Sequence, residues 1–182
     1  MAGRSRVLVA YASKMGSTKE IAEVIGQELE AAGLEATVVS CAENPGLDDF
    51  DGVIIGSAIY TRRWVKAATR YLKRHARDLD PRSTWLFHSG PCGEGARDEQ
   101  VATPRAVARV IDPRGLRAPV TFGGRLDAEH ATGRLSRWMA TEGPLSGDFR
   151  DWTRIRAWAS EIAHQLDQIQ QKGSSDGGEQ IH

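Results

Sequence analysis

Six consecutive residues, Ser13-Lys14-Met15-Gly16-Ser17-Thr18, place a hydroxyl, a cation, a glycine and two further hydroxyls directly before a helical pattern. The first turn of a helix leaves backbone N–H groups without intrahelical partners, and the helix dipole adds positive potential there, so this composition suits an anion. Ser13 and Thr18 can donate hydroxyl hydrogen bonds, and Gly16 lets the backbone approach the ligand closely. The loop is neither a Walker loop, which needs Gly-Lys-Ser/Thr after four spacers, nor a G-x-G-x-x-G dinucleotide fingerprint. An ordinary helix cap by Ser17 is the plainer alternative, and the loop by itself leaves it open.

The elements that must position this loop follow from hydrophobic periodicity. Arg6 to Ala12 is a near-continuous apolar run, as in a strand covered on both faces. Ile21, Ile25, Leu29 and Ala32 recur at spacings of three and four, predicting a helix over 18–32, with Gly33 where a C-terminal cap belongs. Glu35 to Ser40 reads as strand two, Asn44-Pro45-Gly46 as a turn, and Val53 to Ser57 as strand three. Val65, Ala68, Leu72 and Ala76 mark a helical face ending near Arg77; Trp85 to Ser89 is strand four. A helix over 98–110 must start or kink at Pro104. Val120 to Gly124 reads as strand five, and Trp152, Ile155, Ala159, Ile162, Leu166 and Ile169 line one side of a last helix over 151–170.

Strand–helix alternation of this kind predicts a three-layer, doubly wound α/β sandwich whose five-stranded parallel sheet has the order 2-1-3-4-5. Ligands bind such sheets at the C-terminal ends of the strands, where strands one and three diverge. Two further loops end there: Ser57-Ala58-Ile59-Tyr60 after strand three and Ser89-Gly90-Pro91-Cys92-Gly93 after strand four. Both are placed to hold a flat ring. Tyr60 and Trp64 could stack on it, although Trp64 equally suits a core position at a helix start. Cys92 reads as a spectator thiol, because no second Cys follows it. His88 reads as a hydrogen-bonded core histidine, with a proton donor near the ring as the alternative.

At 182 residues, a single domain is expected over 1–171, with a disordered Gly/Ser-rich tail over 172–182. Lys plus Arg and Asp plus Glu both number 24, and this zero net charge counts against nucleic acid as the main partner. It counts equally against a strongly acidic shuttle. Local clusters such as Arg62-Arg63 could contact anions, with a solvated surface as their plainer use. No run approaches the roughly 18–20 apolar residues of a bilayer span, and the start of the chain reads as a strand, not a signal peptide. Cys41 and Cys92 fall on or after strands two and four, which strands one and three separate, so no disulfide is expected and a reduced, cytoplasmic protein is the default. His75, His130 and His164 have no metal-ligand spacing, so no metal site is expected. The segment 131–139, with Leu135, Trp138 and Met139, is expected to cover the pocket mouth, to meet a quinone or membrane surface, or simply to cap the sheet edge.

The spacing of Ser13, Gly16 and Thr18, the sequence Ile55-Gly56-Ser57-Ala58-Ile59-Tyr60 and the closing Asp151-Trp152 resemble the flavodoxin superfamily, and within it the branch of menaquinone-dependent protoporphyrinogen oxidases. The resemblance covers roughly Val7 to Leu166. It implies FMN as cofactor, with Ser13, Lys14, Met15, Gly16, Ser17 and Thr18 at the phosphate. Ser57, Ala58, Ile59 and Tyr60 would flank one face of the isoalloxazine, and Ser89, Gly90, Pro91, Cys92 and Gly93 the other edge. Met15 departs from a threonine common in flavodoxins, and the connection from Gly123 to Asp151 looks shorter than the basic, aromatic insertion of the porphyrin-oxidising branch. By resemblance the protein is an oxidoreductase that takes two electrons from an organic substrate and passes them to a quinone-type acceptor. No catalytic residue is assigned. The alternatives are a one-electron flavodoxin carrier between redox protein partners, and a binding module that no longer holds FMN. Peripheral membrane contact stays open.

Overall fold

The computed structural model describes residues 4–90, 92, 100–126 and 147–176. Strands β1 (Arg6–Ala12), β2 (Glu35–Ser40), β3 (Gly52–Tyr60), β5 (Thr84–Ser89) and β6 (Val120–Phe122) form a parallel path in the order β2-β1-β3-β5-β6. A two-residue strand, β4 (Arg63–Trp64), adds antiparallel to the end of β3. With β4 set aside, this is the 2-1-3-4-5 order expected from the alternation of elements. The sheet thus has six strands where the sequence shows five, because a two-residue return leaves no periodicity to detect. A separate ribbon pairs β7 (Arg125–Leu126) with β8 (Gly147–Asp148).

Among the described residues four helices cover the sheet: α1 (Ser17–Ala31), α2 (Lys66–His75), α3 (Arg105–Ile111) and α4 (Trp152–Asp176). Because side chains alternate along a strand, β1 sends Val7 and Val9 to one face and Leu8, Ala10 and Ala12 to the other. The first set packs under Ile21, Ile25 and Leu29 of α1 and Ile155, Ala159, Ile162 and Leu166 of α4. The second packs under Ala68, Tyr71 and Leu72 of α2 and Val107, Val110 and Ile111 of α3. Each such large side chain, fully buried, contributes on the order of 1.5–3 kcal/mol, which is why both faces read as continuous apolar runs.

Helix ends follow local chemistry. Gly33 has φ 91° and closes α1, with Leu34 N–H donating to Leu29 O at 3.1 Å. Helix α3 begins immediately after Pro104, so the proline starts the helix and does not kink it. Helix α4 corrects the expected stop at Gln170: its backbone stays helical to Asp176, so residues 172–176 belong to the helix and not to a disordered tail. The Gly/Ser composition marked low helix propensity, which an already formed helix overrides. Residues 177–182 lie outside the described residues, as does the 127–146 segment, including His130, Leu135, Trp138 and Met139. Among the described residues no helix is long and apolar enough to cross a membrane.

Candidate functional site

The C-terminal ends of β1, β3, β5 and β6 surround a cleft of ≈ 410 Å³, within the size range of cofactor pockets. Its floor at one end is the 13–18 loop. Gly16 is the N-cap residue of α1 with φ 85° and ψ −30°, a left-handed conformation that a side chain would strain. Helix α1 begins at Ser17, no side chain caps it, and Ser17 Oγ is buried without a hydrogen-bond partner. The cap reading of Ser17 is therefore not the one the fold realises. A buried hydroxyl without a partner costs roughly 1–3 kcal/mol, so its presence at a helix N-terminus inside a cleft fits an anionic ligand group that would complete it. Thr18 is fully buried, and its Oγ1 shares a 2.8 Å hydrogen bond with Ser89 Oγ, tying the first loop to the third. Ser13, Lys14, Met15, Ser17 and Thr18 all line the cleft.

The second loop is held from behind. Ser57 does not line the cleft; its hydroxyl donates to Ala58 O at 2.8 Å and accepts from Val65 N–H at 3.0 Å, pinning the start of α2 against the end of β3. Ala58, Ile59 and Tyr60 do line it. The chain then reverses through Thr61 (φ 45°) and Arg62 (φ 59°), and Tyr60 pairs with Arg63. Two consecutive positive φ values give the twist a two-residue hairpin needs, normally supplied by Asn-Gly. Each non-glycine residue there costs on the order of 1 kcal/mol, so the surroundings must hold the turn in place.

Trp64 supplies the hold. It is buried outside the cleft, and its Nε1–H donates to His88 Nδ1 at 3.2 Å; His88 Nε2 lies 2.7 Å from Thr121 Oγ1. An indole can only donate, so His88 Nδ1 must be the acceptor, and the proton of the neutral ring sits on Nε2, facing Thr121. A second proton would face the indole N–H. Burial pushes the His88 pKa down to about 4, in accord with that geometry. His88 is thus a core histidine that links β5, β6 and the second loop, away from the cleft lining. Tyr60, at the lining, meets Lys14 Nζ at 5.0 Å from its ring centre, joining the first and second loops.

In the third loop Ser89, Gly90 and Cys92 line the cleft, while Pro91 and Gly93 lie outside the described residues. Burial raises the Cys92 thiol pKa to about 11, with Asp148 adding to the shift, so it is protonated at neutral pH and is a poor nucleophile. Both cysteines are free thiols. Sequence inspection missed Gly124, Arg125 and Leu126, which complete the lining from β7. The available signal was their position just past strand five, where the same rule about strand ends applies.

Arg125 reaches across to α1. Its two terminal nitrogens donate to Glu20 at 3.0 and 2.8 Å, while Arg150 donates to Glu20 at 2.6 Å and to both oxygens of Asp148. Burial works to raise the Glu20 pKa, but the hydrogen bonds and charge of Arg150 and Arg125 outweigh it and hold the carboxyl low. A carboxylate one turn into a helix would repel an anion at its N-terminus; clamped between two guanidinium groups, this one is neutralised. Among the described residues the lining carries Lys14 and Arg125 and no carboxylate.

A doubly wound sheet with a glycine- and hydroxyl-rich loop at a helix N-terminus after its first strand, and a cleft between that loop and the next two, has the layout of a flavodoxin-type domain. The flavodoxin domain family matches residues 8–130, and the chain belongs to that family. Protoporphyrinogen IX dehydrogenase [quinone] of Escherichia coli K12 is 30% identical over 77 residues, 41% of this chain and 42% of that protein. The matched stretch therefore spans under half the length of that relative. Among solved structures, a flavodoxin from the domain Archaea has a TM-score of 0.59 at 15% identity, covering 89% of this chain and 99% of its own. The Flv1 flavodiiron core from Synechocystis has 0.62 at 14%, covering 91% and 36%. At these identities the structural matches establish the fold, and family membership implies a flavin site.

Proposed function

We propose that this cleft binds FMN and that the protein is an FMN-dependent oxidoreductase, oxidising an organic substrate by two electrons with a quinone-type acceptor. The observation that carries the cofactor is the buried, unpartnered Ser17 hydroxyl at the N-terminus of α1, beside left-handed Gly16. The 13–18 loop would hold the phosphate, and Ala58 to Tyr60, Ser89, Gly90 and Cys92 would border the ring. FMN supplies the redox chemistry when bound. The chain orients it, excludes water from one side and sets the surrounding charge.

Two features favour the two-electron reading. Lys14 in the lining, which no carboxylate of the lining offsets, would stabilise negative charge gained on reduction, and the 77-residue likeness is to a quinone-linked dehydrogenase. In the overall balance, the substrate loses two electrons and two protons and the quinone gains them as quinol. Porphyrinogen is the substrate class this likeness proposes. The rival function, a one-electron carrier between proteins, is favoured by the exposed cations Arg62 and Arg63 at the cleft mouth, where a protein could dock.

The test begins with the visible spectrum after FMN is added and the excess removed. Retained flavin bands with quenched fluorescence are expected; a colourless protein would overturn the cofactor assignment. Reductive titration of the holoprotein then separates the two functions. One two-electron transition is expected of the enzyme, two well-separated one-electron transitions of the carrier.

A further inference from the structure

We infer that helix α2 and the hairpin before it form a docking surface for an acidic protein. From Gly52 to Arg77 the chain contains no Asp or Glu. Lys66, Arg70, Lys73 and Arg74 are exposed and follow one another at spacings of four, three and one, which sets them on one stripe of α2, with Arg77 just past its end. Arg62 and Arg63, also exposed, extend the charge to the cleft, because Arg63 pairs with cleft-lining Tyr60. None of these seven cations has a carboxylate within ion-pairing distance among the described residues, whereas the cations of α1 and of the β7–β8 ribbon are paired. Asp48 and Asp78 bear on His75, at the far end of α2.

The chemistry of the stripe selects the partner. Five of the seven are arginines, whose planar forks suit carboxylates bidentately. The apolar residues of α2 leave nothing to insert into a bilayer: Ala68, Tyr71 and Leu72 are buried in the core and Ala67 is half-buried. A surface-lying membrane helix needs an apolar face at the interface as well as a basic one. Carboxylates on a protein surface require only complementary charge, which speeds encounter and orients the partner, here at the cleft mouth.

Binding of the full-length chain to labelled poly-L-glutamate, followed by fluorescence anisotropy at rising salt, tests this. Competing probes are duplex DNA and vesicles of three parts phosphatidylcholine to one part phosphatidylglycerol. Wild-type protein should bind polyglutamate at low salt in preference to either. Arg70→Glu/Arg74→Glu should weaken that binding by about tenfold or more, while Arg4→Glu/Lys172→Glu, with the same change in net charge, should stay within about twofold. Equal losses in the two double variants would overturn the surface. So would no polyglutamate binding, or tighter binding of vesicles or DNA. The measurement needs no flavin, so it stands or fails independently of FMN retention, which both double variants should keep.

Discussion

Helices α1 and α4 cover one face of the sheet, α2 and α3 the other, and the two layers treat charge in opposite ways. In α1, Glu20, Glu23, Glu28 and Glu30 outnumber Lys19; Glu23 faces Lys19, Glu28 binds Arg156 of α4, and Glu20 is clamped by Arg125 and Arg150. In α2 and α3, Lys66, Arg70, Lys73, Arg74, Arg105 and Arg109 face no acid within either helix. A net charge of zero therefore conceals a polarised molecule. On the α1 side charge is spent internally, on ion pairs that hold α1 to its neighbours. On the α2 side like charges accumulate, which costs stability and fits the acidic partner inferred above.

The largest effect should come from breaking the α1-side clamp. Arg150 is 5% exposed, and Arg150→Met leaves Asp148 and part of Glu20 without their partner. A loss of about 3 kcal/mol is expected by denaturant unfolding, at the low end for a buried pair because Glu20 keeps Arg125 and both carboxylates reach solvent. A loss near zero would mean that the clamp is ornamental and the contrast between layers superficial.

The pin behind the second loop comes next. His88 is buried and neutral, with its pKa lowered to about 4 from an ordinary 6.5. Between those values the unfolded chain binds the proton and the folded chain does not, so stability falls as the pH drops from 6.5 towards 4 and the loss stops growing below that. At about 1.4 kcal/mol per unit, the full effect is about 3 kcal/mol. His88→Gln, whatever its cost at pH 7, should remove that slope from unfolding curves recorded across the window. An unchanged slope would place the titration elsewhere.

At the proposed phosphate loop, Gly16→Asp would set a carboxylate against the FMN phosphate and strain a left-handed residue. FMN affinity, read by fluorescence quenching, should fall by about a hundredfold, or about 2.7 kcal/mol. Unchanged affinity would move the phosphate away from the 13–18 loop. The smallest effect has the opposite sign. Arg70→Ala removes like-charge neighbours at Lys66, Lys73 and Arg74, and should raise stability by a few tenths of a kcal/mol per pair relieved. If it destabilises instead, the stripe has internal partners and the two layers differ less than their sequences indicate.

Much of this was legible before any coordinates. The central strands β1, β3 and β5 carry apolar runs on both faces, and the helices repeat at three and four, so their order followed from burial and connection rules. The 13–18 loop announced itself through residue types with few other uses at a helix start. What stayed hidden depends on distant pairings. Nothing local marks β4, Arg125 or Arg150, since each acquires its role from a partner far along the chain: Trp64 from His88, Arg125 and Arg150 from Glu20. Ser57 sits in the loop expected to flank a ring, yet its hydroxyl does not line the cleft and pins the start of α2.

The sequence alone determined the α/β class, the strand order, the three loops at the sheet edge and the family, because periodicity and short motifs are properties of adjacent residues. Tertiary structure decided which of those residues face the cleft, which proton His88 carries, and that balanced charges separate into opposite layers. Those outcomes rest on contacts between residues many tens of positions apart, where distance and burial, not sequence order, set the energy.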